Sequence, residues 1–86
     1  MTNTAALAHI ETLMNHRAMI ISDKGNIPLT TSFYENAVAS CEAGMAEAIT
    51  YDLLLPGVEE PMMIAIHRSG HVDTGSRETV MRVLDR

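Results

Sequence analysis

Ser32–Ile49, SFYENAVASCEAGMAEAI, is the stretch from which the rest of the chain is read. Tyr34, Val38, Cys41, Met45, Ala48 and Ile49 recur every three or four residues, which lines them up as one apolar stripe on an α-helix. Ser32 followed by Glu35 has the form of a capping box, in which each side chain satisfies a backbone N–H at the helix entrance. Ser40, Gly44 and Ala48 form a second stripe, of small side chains, that would let another backbone approach closely. That backbone would belong either to a sheet of this chain or to a second copy, and the three residues are the candidate interface.

On the N-terminal side, Asp23-Lys24-Gly25-Asn26 signals a turn between AMIIS (18–22) and IPLT (27–30), which read as a β-hairpin. Pro28 has no N–H to give a neighbouring strand, so the second strand is expected at a sheet edge or very short. Before the hairpin, Ala6, Leu7, Ile10, Leu13 and Met14 make the stripe of a first helix capped by Thr4. His9 and His16 lie on its neighbouring face and read as solvated.

On the C-terminal side, Thr50–Leu55 alternates as a half-buried strand, Pro56-Gly57 turns the chain, and Pro61–Arg68 reads as a more fully buried strand. Ser69-Gly70 breaks it and Val72 enters a short return strand. A last helix then runs from Arg77 to Leu84, capped by Ser76 and burying Val80, Met81 and Leu84. The expected fold is α+β in one domain, residues 1–86: a small antiparallel sheet packed by helices, in the order helix, hairpin, helix, hairpin, helix. A mostly helical chain with one β-hairpin is the alternative. In element order, and in the AMIISDKGNIPL hairpin, the chain is similar to the roadblock-type dynein light-chain modules. That resemblance implies a dimerising scaffold.

Composition narrows the function classes. The chain is 47% apolar, with seven Met, no Trp, and only Phe33, Tyr34 and Tyr51 as aromatics. A core filled by aliphatic and thioether groups specifies shape weakly, and such a core is commonly completed by an oligomer interface. The net charge of −5 argues against nucleic-acid binding, which requires a basic face. Charge is also uneven. Residues 1–66 carry eight acids against Arg17 and Lys24, net −6; residues 67–86 carry four arginines against Asp73, Glu78 and Asp85, net +1. Cys41 is the sole cysteine, placed on the apolar stripe as a buried, inert thiol. The N-terminal MTNTAALAHIETLM lacks the pattern of a signal peptide, and no apolar run approaches the ~18 residues of a membrane span. A soluble, cytoplasmic protein is expected.

Three constellations invite chemistry. Asp73-Thr74-Gly75-Ser76 resembles the catalytic string of aspartic proteases, where two such carboxylates share a proton to activate water. Only ten residues follow Ser76, too few for a flap and a further strand, so Asp73 reads as a cap of the last helix. His67, His71 and Asp73 offer imidazole and carboxylate donors suited to zinc or another divalent ion, if Ser69-Gly70 makes a hairpin turn. Gly75, Ser76, Arg77 and Arg68 could receive an anion at the start of the last helix. With no cofactor implied, the expectation is a small acidic, non-catalytic homodimer that binds and regulates a partner protein. Inhibitors and accessory proteins of phage or mobile elements have this profile. The competing class is a small metal- or anion-binding enzyme centred on His67, His71 and Asp73.

Overall fold

The computed structural model describes residues 3–44 and 46–85. The elements are α1 (Thr4–Asn15), β1 (Met19–Ser22), β2 (Gly25–Pro28), α2 (Thr31–Glu42), β3 (Ala48–Leu54), β4 (Met62–His67), β5 (Val72–Ser76) and α3 (Arg77–Leu84). The strands form one antiparallel sheet in the order β2-β1-β3-β4-β5. The α+β class and the expected order of elements hold, and Pro28 lies on an edge strand.

Each helix starts and stops for a local reason. The Asn3 side chain caps α1, its Oδ1 accepting from Ala6 N–H at 3.1 Å, so the cap lies one residue before the expected Thr4. The far end of α1 is a Schellman motif: Ala18 N–H reaches Leu13 C=O and Arg17 N–H reaches Met14 C=O. This places Arg17 in the left-handed region, φ 60°, and turns AMIIS out of the helix into β1.

The central helix is shorter than its apolar spacing implies. Thr30, not Ser32, is the N-cap, with Oγ1 accepting from Phe33 N–H at 3.1 Å. Ser32 and Glu35 lie on the exposed surface and make no capping box. The reason is tertiary: Leu29 and Tyr34 are both buried in the main core, as in a hydrophobic staple, and this fixes the register of helix entry. Gly44, at φ +91° just past the Ala43 C-cap, ends the helix. Ala48 and Ile49 therefore belong to β3, while Met45 of the expected stripe lies outside the described residues.

The sheet is covered unequally. Ala6, Ile10 and Leu13 of α1 and Tyr34, Ala37 and Val38 of α2 pack with Ile20, Leu53, Ile64, Ile66 and Val72 on one face. On the other, α3 packs mainly on β4 and β5, where Val80 and Leu84 meet Met63 and Ala65. β4 is thus the strand buried from both sides. The core is aliphatic, contrary to the Met-rich expectation. Of the described methionines only Met63 is buried, and Met81, expected inside, is 44% exposed. Cys41 is buried as expected, its thiol 3.8 Å from the Ile66 carbonyl. No helix among the described residues is long and apolar enough to cross a membrane.

Two measurements check this account. Thr30→Ala should cost about 1 kcal/mol in urea unfolding, whereas Ser32→Ala should leave the midpoint nearly unchanged. The fully buried Tyr34 donates its hydroxyl to the Gly70 carbonyl and accepts from Asn3 N–H. Tyr34→Phe leaves that carbonyl without its hydroxyl donor and should cost about 1–3 kcal/mol; a shift within error would show that the bond contributes nothing.

Candidate functional site

The β4–β5 hairpin brings His67, His71 and Asp73 together. His67 and His71 close the hairpin, with His67 N–H bonded to the His71 carbonyl at 2.9 Å and Gly70 in the turn at φ 92°. Asp73 pairs with Ala65, so it shares a sheet face with both histidines by the period-two alternation of the strands. The two rings are 5.4 Å apart. The carboxylate lies between them: Oδ2 is 2.8 Å from His67 Nε2 and Oδ1 is 3.0 Å from His71 Nε2.

The charge state follows from this geometry. Burial pushes the Asp73 carboxyl upward, but hydrogen bonds from His67 and His71, and their charges, outweigh it and hold the group below its ordinary range. An ionised carboxylate only accepts hydrogen bonds, so both Nε2 atoms carry protons. Each ring thus engages the carboxylate through its Nε2. Among the described residues no three His, Cys, Asp or Glu side chains are placed to hold a metal ion. Asp73 is also not the cap of α3. It stands inside β5, and the cap is the expected Ser76, whose Oγ accepts from Thr79 N–H at 3.2 Å.

The anion-binding set does not assemble. Arg68 follows the C-terminal end of β4, whereas Arg77 N–H bonds the Pro61 carbonyl beside its start. A six-residue strand separates them, about 20 Å of extended chain. Arg68 instead closes α2: its Nε donates to the Cys41 carbonyl at 3.0 Å and its guanidinium pairs with Glu47 at 3.1 Å. Gly75 stays with Ser76 and Arg77, but the Ser76 hydroxyl is already committed to the Thr79 N–H and hydroxyl. Ser40, Gly44 and Ala48 fall on α2, past its end and in β3 respectively, so they share no helix face. His9, expected in solvent, is half-buried and bonded through Nε2 to Thr74 Oγ1 at 2.9 Å, which ties α1 to the edge strand.

Sequence spacing missed the outer face of β1 and β3, which α3 leaves bare. Tyr51 and Leu53 point into the main core, so Asp52 and Leu54 point outward, beside Ile21 across the β1–β3 pairing. Ile21 is 45% and Leu54 40% exposed, and Val58, in the loop between β3 and β4, is also exposed. They line a groove of about 300 Å³ closed by Glu59, Glu60 and Arg77. The available signal was the length of α3: eight residues span about 12 Å, too short to cover a five-stranded sheet.

The lowered Asp73 value gives a signed pH prediction. Its stabilising effect is fully present above the unfolded carboxyl value of about 4 and is lost as pH falls through the lower folded value. Urea unfolding of wild type and Asp73→Asn across acidic pH should show a gap near neutrality that closes in acid. A gap independent of pH would mean that the imidazoles do not stabilise the ionised carboxylate.

Compared with protein-family models, with curated proteins and with solved structures, the chain finds no match.

Proposed function

We propose that this is a non-catalytic protein-binding module that docks a partner protein on the outer face of β1 and β3. One observation carries the reading: a strand in the middle of the sheet and its neighbour present Ile21 and Leu54 to solvent on a face that the chain's own helices leave uncovered. Large aliphatic side chains grouped on a sheet face beside a groove mark an interaction surface. The acidic balance of the chain favours a protein over nucleic acid or an anionic membrane. A domain of this size seated on a partner would regulate it by occluding surface, which is the sense in which an inhibitory or accessory role is proposed. The His67–Asp73–His71 cluster then serves as a lock on the β4–β5 hairpin.

Two of the supports for a homodimer, a Met-rich core and a small-residue helix stripe, are not found among the described residues. The partner is taken here to be a different chain. In extract of the source cells, the protein with a photo-crosslinking residue in place of Ile21 should give one discrete adduct, and Leu54→Lys should abolish it. The same crosslinker in place of Glu11, on exposed α1 across the molecule, should give none. Equal labelling from both positions, or none from position 21, rejects the proposed face.

A further inference from the structure

The outer-face groove has a charge pattern that selects among possible occupants. Asp52 stands in the middle of the bare face, on β3 beside Ile21 and opposite Met63. Glu59 and Glu60 rise from the loop at one end, and Arg77 is the one basic residue lining the groove. Asp52, Glu59 and Glu60 are all exposed, and none takes part in the ion pairs or side-chain hydrogen bonds found among the described residues. The groove continues past Glu60, Pro61 and Arg77 into a second depression of about 460 Å³ that ends at Met81, itself 44% exposed. There Glu78 is neutralised by Arg82 at 2.7 Å. The result is an aliphatic floor, Ile21 and Leu54 at one end and Met81 at the other, with three free carboxylates against one guanidinium between them.

From this pattern we infer that the occupant is a cationic amphipathic segment of the partner, one face aliphatic and the flanking positions Lys or Arg. The inference rests on the proposed docking face and specifies its ligand. Aliphatic groups would cover Ile21, Leu54 and Met81, while Lys or Arg would reach Asp52 and the Glu59–Glu60 pair. A second copy is disfavoured by the same charges: an isologous contact sets a patch against itself, and this one would oppose two sets of carboxylates. An acidic peptide is disfavoured likewise.

Two synthetic amphipathic peptides of equal length test this, both with leucine on one face, one with lysine and the other with glutamate elsewhere. Titrated with the full chain and followed by fluorescence anisotropy, the lysine peptide should bind, more weakly as salt rises, and the glutamate peptide should not. Asp52→Lys should weaken binding by about tenfold or more, and Ile21→Ser should weaken it with less change in salt dependence. Glu11→Lys, an equal charge change on exposed α1, should leave binding unaltered. Circular dichroism melts confirm that each variant is folded, and a Leu54→Lys variant replaces any that is not. Equal losses from Asp52→Lys and Glu11→Lys, or equal binding of both peptides, would overturn the inference. Concentration-dependent self-association lost in Ile21→Ser would overturn it too, in favour of a second copy. If crosslinking at position 21 captures a partner whose labelled segment is not basic, the ligand class is wrong and the docking face stands; with no adduct there, the face itself is wrong.

Discussion

The hydroxyl of Tyr34 is the point at which three parts of the fold meet. Its ring is fully buried on α2, among the side chains that fill the space above the sheet. Its oxygen donates to Gly70 in the β4–β5 turn and accepts from Asn3 at the entrance of α1. A polar group so deeply buried is costly unless bonded. Here the bonds it makes join residues more than thirty positions apart in the chain. The turn thereby held is the one that closes His67 onto His71, so the geometry around Asp73 depends on a tyrosine outside it. Arg68 reinforces the same junction from the other side, by carrying the last turn of α2 on its guanidinium.

The unequal covering of the sheet follows from helix length. α1 and α2, twelve residues each, pack across one face. α3 has eight and packs mainly on β4 and β5. β4 gains burial on both faces and carries a continuous apolar run, as strands covered on two sides do. β3 alternates between core and solvent, and its solvent side holds Asp52 and Leu54. The surface proposed for binding is therefore a consequence of architecture: the residues left over where the third helix stops.

The triad of His67, His71 and Asp73 illustrates how proximity differs from readiness for chemistry. Three groups suited to a divalent ion are brought within hydrogen-bond distance, yet they satisfy one another. The two imidazoles that flank the carboxylate lower its pKa and are themselves oriented by it. That arrangement fastens the end of a hairpin near the sheet edge, a place where strands otherwise fray.

Much of this protein was legible in the sequence. The first hairpin, the edge placement of Pro28, the buried run of β4 and the Ser76 cap of α3 are all local effects of backbone chemistry, although the turn is tighter than Asp23–Asn26, since Gly25 and Asn26 already pair in β2. So was the juxtaposition of His67 and His71, since a short turn in a hairpin places its flanking residues opposite each other. What the sequence left open were choices between local signals of similar strength. Ser32-x-x-Glu35 and Thr30 both offer a helix start, and the burial of Leu29 with Tyr34 decides for Thr30. Apolar spacing carries a helix through Gly44, but Gly44 adopts φ +91° and ends it, moving Ala48 into the sheet. Whether Asp73 caps a helix, binds a metal or locks two imidazoles depends on where β5 ends, which its pairing with β4 sets. The bare face is tertiary in the fullest sense: Ile21, Asp52 and Leu54 are far apart in the chain or alternate with core residues, and only strand pairing and the reach of α3 make them one surface.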